Sequence, residues 1–161
     1  MIPPQSAKIK YPPSRETGMQ PQRNEPGIYS LILFLPQARQ IKVGSLGVID
    51  FVSGIYSYTG SARGPGGLKR VDRHIQVLEG IKTTQRWHID YLLPHTSLVE
   101  VFITKPTQDL ECSIAKAIGN RLKAVPRFGC TDCRCQSHLH YALDPQEMRA
   151  AAAAAHRATR I

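Results

Sequence analysis

The stretch "SGIYSYTGSARGPGGLKRVDRHI", Ser53 to Ile75, decides how this chain is read. Its first half sets Ile55, Ser57 and Thr59 on one side of a strand and Tyr56, Tyr58 and Gly60 on the other, because side chains alternate across a strand. "GPGG", Gly64–Gly67, then interrupts the strand with residues that favour turns. Beyond it, Leu68, Val71, Ile75 and Leu78 recur at helical spacing. A tyrosine-bearing strand therefore leads through a glycine turn into a basic helix. Arg70 and His74 stand four positions apart, so they share one face of that helix.

An earlier copy of one word of this stretch lies in "PGIYSLILFL", Pro26–Leu35. The continuous β-rich run predicts a buried strand. If both strands join one antiparallel sheet, Tyr29 and Tyr58 can meet on one face. "RQIKVGSLGVIDF", Arg39–Phe51, reads as a hairpin with a Gly-Ser turn. "RWHIDYLL", Arg86–Leu93, is a short helix, and "SLVEVFITK", Ser97–Lys105, a strand. "DLECSIAKAIGNRLK", Asp109–Lys123, is a helix with Leu110, Ile114, Ala117, Ile118 and Leu122 on one face. "HLHYAL", His138–Leu143, closes the pattern as a last strand. The expected fold is α+β, a small central antiparallel sheet flanked by helices.

At 161 residues the chain argues for one domain. Residues 1–25 hold five of the twelve prolines and show little apolar periodicity, so they read as a flexible N-terminal arm. Residues 26–143 form the domain. Residues 144–161, with "MRAAAAAAHRATR", read as a C-terminal helical extension of high propensity and no chemistry. No apolar run approaches the roughly 20 residues of a membrane helix, so no membrane partner is expected. The opening segment lacks the apolar core of a secretory signal, and a cytoplasmic address follows.

The formal charge of +9 is concentrated in the folded part. Residues 27–143 carry fourteen Lys and Arg against eight Asp and Glu. Between Gly60 and Arg86 stand Arg63, Lys69, Arg70, Arg73, Lys82 and Arg86, against Asp72 and Glu79. Such a patch suits a polyanion, because each neutralised phosphate releases condensed counterions; a solvated basic face has the same composition.

"GIY" at Gly27–Tyr29, "YTG" at Tyr58–Gly60, "LKRVDRH" at Leu68–His74 and a later helix carrying Glu111 resemble, in order, the elements of the GIY-YIG endonuclease superfamily. The closest resemblance is to its short, Uri-type branch, through "GGL…RHI", "WHIDYLL", "EC" and "DCRCQSHLHY". It covers Pro26 to Tyr141. It implies a GIY-YIG-like nuclease domain that hydrolyses a phosphodiester of DNA with Mg²⁺ or Mn²⁺, in DNA repair. Tyr29, Tyr58, Arg70, His74 and Glu111 fall on the catalytic positions: a tyrosine as general base, Arg70 for transition-state charge, Glu111 holding the metal. Tyr56, in the second "GIY", is then a decoy bordering the site. Arg63, Lys69, Arg73 and His88 are the expected nucleic-acid contacts. The chain departs from the family pattern in three places. Tyr29 and Tyr58 are separated by an extra hairpin, Ser61 stands where many members carry lysine, and no late asparagine is evident.

Two polar groups remain. His88 and Asp90 lie among apolar residues and need partners; a structural hydrogen-bond cluster and a substrate contact by His88 both satisfy that. "CTDCRCQSHLH", Cys130–His140, brings cysteines and histidines together. Cys112, Cys133, Cys135 and His138 are the positions that match the branch. They admit three uses: packed thiols, a structural zinc or a disulfide. Two rival functions are carried forward: a catalytically weak DNA-binding module of the same fold, and a zinc-stabilised RNA-binding protein.

Overall fold

The first strand, β1 (Ile28–Leu35), is buried along almost its whole length because it pairs on both edges. In the computed structural model, which describes residues 25–64, 66–105, 110–130 and 133–158, it lies between β4 (Gly54–Ser61) and β5 (Ser97–Thr104). β7 (Leu139–Ala142) pairs with the outer edge of β4, and the two-residue β6 (Lys123–Ala124) with β7. The order β5-β1-β4-β7-β6 is antiparallel throughout. The expected hairpin forms a separate two-stranded sheet, β2 (Arg39–Lys42) and β3 (Val48–Phe51), joined through a 3₁₀ turn at Gly44–Leu46. The expected arm at 1–25 falls, save for Glu25, outside the described residues.

Period-two alternation splits β1 between two cores. Tyr29, Leu31, Leu33 and Leu35 join a core with Tyr56, Tyr58, the hairpin residues Ile41, Val43 and Phe51, and Val71, Val77, Ile89 and Leu92. The last four belong to α1 (Lys69–Leu78) and α2 (His88–Leu92). Ile28 and Ile32 point the other way, toward Ile114 and Ile118 of α3 (Glu111–Gly119) and Met148, Ala151, Ala152 and Ala155 of α4 (Pro145–Ala158). The result is a central antiparallel sheet with helices on both faces, the α+β architecture expected.

Two expectations need correction. The helix read over Asp109–Lys123 ends at Gly119; Lys123 and Ala124 leave it to pair with β7 as β6. The alanine-rich C-terminal segment does form a helix, but it is packed into the core and not appended to it. Its small side chains bring α4 close to the sheet, and Met148 and His156 are buried there. His156 Nε2 hydrogen-bonds with Ser30 Oγ at 2.8 Å and its Nδ1 with Thr104 Oγ1 at 2.8 Å. Ser30 Oγ in turn meets Thr59 Oγ1 at 2.8 Å. One histidine thus ties α4 to β1 and β5 directly and to β4 through Ser30. Propensity predicts the helix, but the sequence has no apolar stripe to announce a buried face, because alanine serves equally in water and in a close contact. Among the described residues no helix is long and apolar enough to cross a membrane.

Candidate active site

The registers put both motif tyrosines on one face of the sheet. Tyr29 lies opposite Gly60, and Tyr58 opposite Leu31. The absent side chain at Gly60 makes room for the Tyr29 ring: a Cβ there would lie 2.5 Å from the Tyr29 hydroxyl and 2.6 Å from its Cζ. Both phenols face α1, whose buried side carries His74. Tyr29 Oη and His74 Nε2 are 2.7 Å apart, and the Tyr58 and His74 rings meet edge to face with centroids 6.0 Å apart.

Among the described residues, His74 Nδ1 is buried without a hydrogen-bond partner. The Tyr29 hydroxyl and His74 Nε2 share one hydrogen bond, whose direction follows the imidazole tautomer. Burial holds His74 neutral, with its pKa lowered to about 3; Asp90 opposes that shift, and Arg73 and Arg70 add to it. Burial likewise raises both phenols. For Tyr29 the Tyr58 hydroxyl adds to the rise and Arg70 opposes it. For Tyr58 the Glu111 carboxylate adds and Arg70 opposes. Tyr29, Tyr58, Arg70 and Glu111 thus lie within electrostatic reach of one another.

Arg70 leaves the first turn of α1 and donates from Nη1 to the Ser61 carbonyl at 2.8 Å. The Ser61 backbone thereby orients the arginine. Its guanidinium lies 4.8 Å from the centre of the Trp87 ring, a cation–π distance. Arg73 and Arg86 approach the same ring at 4.4 and 5.3 Å. Trp87 was not singled out from sequence. The signal was available: it is the one tryptophan, directly after Arg86, in a chain rich in arginine nearby.

Glu111 opens α3, in the layer across the sheet from α1, yet its carboxylate reaches the end of the sheet where β4 and β5 finish and β1 and β7 begin. There its Oε2 lies 3.2 Å from His138 Nδ1, which is also 3.1 Å from the Thr59 carbonyl. Burial lowers the His138 pKa, but Glu111, through its hydrogen bond and charge, and the Cys133 thiol together outweigh it and the net shift is upward. The Glu111 side chain is 24% exposed, so it is open to solvent on one side.

Of the expected nucleic-acid contacts, Arg63 and Lys69 are exposed at the glycine turn and the start of α1. Arg73 and His88 are engaged within the protein. Arg73 forms a two-pronged pair with the fully buried Asp90, both bonds 3.2 Å long. Asp90 also accepts the backbone N–H of Arg86 at 2.7 Å and of Trp87 at 3.0 Å, capping α2. His88 Nδ1 accepts the Gly129 N–H at 2.9 Å, and its ring packs against Phe128. Gly129 has φ +77° and lies against Tyr58, so this bond holds a turn under the second phenol. Of the two uses weighed for the His88–Asp90 pair, the structural cluster is the one these contacts describe. Tyr56 packs against Phe51 and Tyr141 and gives its hydroxyl to the Val52 carbonyl at 2.6 Å.

Cys112, Cys133, Cys135 and His138 come together, with one potential ligand atom from each within 4.8 Å of every other, a cluster that could hold a metal ion. All four cysteines are free thiols.

The chain belongs to the DUF123 family, described as a domain of unknown function, which matches residues 28–161. That match spans α4 as well as the sheet. No curated protein and no solved structure matches the chain.

Proposed function

We propose that this protein is a metal-dependent DNA endonuclease of the GIY-YIG type, related to the Uri-type branch. One observation carries the reading: Tyr29, Tyr58, Arg70, His74 and Glu111, from four chain segments, converge at one end of the sheet, with Tyr29 bonded to a neutral His74 at 2.7 Å.

Hydrolysis of a phosphodiester needs a base for the attacking water and support for charge on the phosphoryl oxygens. Tyr29 is the favoured base. Once Tyr29 is a phenolate, a neutral His74 with its proton on Nε2 donates to that oxygen, and a hydrogen bond donated to the phenolate favours the charged form. Arg70 acts in the same direction. Burial keeps the phenol protonated in the free protein, so its deprotonation has to be coupled to substrate binding. With that proton released to solvent, the phenolate takes the proton of the attacking water as the new P–O bond forms and the scissile P–O bond breaks, and the departing oxygen takes a proton from solvent. Arg70, held by the Ser61 carbonyl and the Trp87 face, is placed to meet the phosphoryl oxygens. The buried Tyr58 ring packs edge-on against His74 and Phe128 and keeps this wall of the site dry.

Glu111 is a single hard oxygen donor, partly exposed, beside the phenols, and fits Mg²⁺ or Mn²⁺, which keep water and substrate phosphate in their shells. When bound, such an ion supplies Lewis-acid stabilisation of the phosphoryl and leaving oxygens. Arg63 and Lys69 extend the site as a phosphate-facing edge.

The test is nicking of labelled DNA — single-stranded, abasic, nicked and branched — with Mn²⁺ or Mg²⁺. Cleavage abolished by Glu111→Ala, with DNA binding retained, supports the enzyme. Binding without cleavage on every substrate replaces it with the binding module, and a preference for RNA without cleavage with the RNA-binding protein.

A further inference from the structure

The geometry points to a zinc site formed by Cys112, Cys133, Cys135 and His138, which also positions Glu111 through the His138 ring. Three observations converge on it.

The first is the donor set. The chain has four cysteines, and three of them meet one buried histidine from two distant segments, the first turn of α3 and the loop entering β7. The fourth, Cys130, neighbours Cys133 but stands outside that set, and gives its thiol hydrogen to the Phe128 carbonyl at 3.6 Å. Three thiolates and an imidazole are soft to borderline donors, which select zinc over magnesium. Four protein ligands close the coordination sphere, as in structural zinc sites.

The second is spacing. Zinc bonds of about 2.0–2.3 Å give ligand-to-ligand edges of roughly 3.5–3.8 Å in a tetrahedron. His138 Nε2 lies 3.3 Å from Cys133 Sγ and 3.9 Å from Cys112 Sγ. All four ligand atoms lie within 4.8 Å of one another, so small side-chain rotations complete the tetrahedron.

The third is the orientation of the imidazole. Nδ1 faces two oxygen acceptors, the Thr59 carbonyl at 3.1 Å and Glu111 Oε2 at 3.2 Å, and so carries a proton. The neutral ring then presents its lone pair at Nε2, the nitrogen aimed at the thiols. A ligating histidine whose other nitrogen donates to a carboxylate and a carbonyl is the arrangement that fixes tautomer and ring position in metal sites. Here that carboxylate is Glu111, adjacent in sequence to the ligand Cys112. The ion would hold the loop entering β7 to the start of α3, and His138 would hold the carboxylate toward the phenols. The zinc site stands independently of the nuclease reading; the significance of its hold on Glu111 rests on that reading.

The full chain, prepared under reducing conditions with zinc, is expected to contain one tightly held zinc per molecule by elemental analysis. Replacement by Co²⁺ is expected to produce thiolate-to-cobalt charge-transfer bands and the visible bands of a tetrahedral ion. Cys133→Ser and Cys135→Ser are expected to lose the ion, and Cys130→Ser to keep it. Glu111→Gln is expected to retain full stoichiometry but to yield zinc to a competing chelator about tenfold more readily, the effect typical of an outer partner of a ligating histidine. Because a cysteine variant can fail for want of folding, zinc is also stripped from the wild type and returned, with circular dichroism and cobalt spectra recorded. Reduced wild-type protein that holds no zinc, or a disulfide among these thiols in the protein as isolated, overturns the site. Unchanged zinc affinity in Glu111→Gln overturns the link to Glu111. A zinc-loaded protein that binds DNA without cutting it defeats the nuclease reading and leaves the site standing.

Discussion

Gly60 and Tyr29 are a matched pair: one lacks the side chain whose place the other takes. Gly60→Ala puts a methyl 2.5 Å from the Tyr29 hydroxyl, so the ring must move off His74. The expected loss is about 1–3 kcal/mol of stability, typical of overpacking a well-filled core, measured by urea denaturation. Tyr29→Phe keeps the ring and removes only the oxygen. Nicking is expected to fall by about 10²–10⁴-fold, the usual contribution of a positioned acid or base, with DNA binding held. Unchanged cleavage in Tyr29→Phe removes Tyr29 from the chemistry. His74 has a consequence for pH. The unfolded chain takes up a proton near pH 6.5, which the folded chain refuses until about pH 3. The proton-rich state is then the unfolded one, so stability is full above pH 6.5 and declines as the pH falls below it. The titratable and charged groups facing this ring are Tyr29, Tyr58, Asp90, Arg73 and Arg70. Denaturation between pH 7 and pH 5 is expected to show a slope of up to about 1.4 kcal/mol per pH unit from this group, reduced in His74→Gln.

At the scale of elements, the contact between α1 and α2 is electrostatic as well as apolar. Asp90 is fully buried and receives four hydrogen bonds: two from the Arg73 side chain and one each from the backbones of Arg86 and Trp87. Removing one partner of such a pair strands the other charge. Arg73→Ala is expected to destabilise the fold by about 3–5 kcal/mol, seen as a lowered urea midpoint. Arg63→Ala, on an exposed turn, is expected to stay within about 0.5 kcal/mol of the parent. Equal stability for the two variants contradicts the structural assignment of Arg73. α4 is a second element whose role comes from its neighbours: His156 closes a buried chain of hydroxyls across β5 and β1 that reaches β4 through Ser30, which solvent would otherwise have to supply.

Over the whole molecule, the two faces of the sheet divide the work. One carries the phenols, α1, α2 and the hairpin; the other carries α3 and α4, and the two meet at the sheet end where Glu111 and His138 stand. The exposed cations Arg63 and Lys69 border that end. Their joint replacement by alanine is expected to weaken DNA binding about equally for all sequences. The slope of log affinity against log salt should become shallower by about one for each phosphate that the variant no longer neutralises. A change in which DNA structure is preferred, with the salt slope intact, assigns these residues to recognition instead.

Much of this was legible in the chain because it depends on local rules. The two-fold alternation from Ile55 to Gly60, the glycine turn, and the helical spacing from Leu68 to Leu78 determine a strand–turn–helix whatever surrounds it. They also place Tyr58, Arg70 and His74 within one unit. The membership of the last strand could be read too, but its place beside β4 could not, since pairing order is a property of the assembled sheet. Tertiary structure alone decided the fate of the polar side chains. Arg73 is a surface cation by composition and a buried strut by position, because only the folded chain brings Asp90 beneath it. His138 and Glu111, far apart in sequence, face each other only because β7 starts where α3 begins. Alanines 150–155 specify a helix by themselves; that it lies in the core follows from its close fit against the sheet, which no single segment encodes.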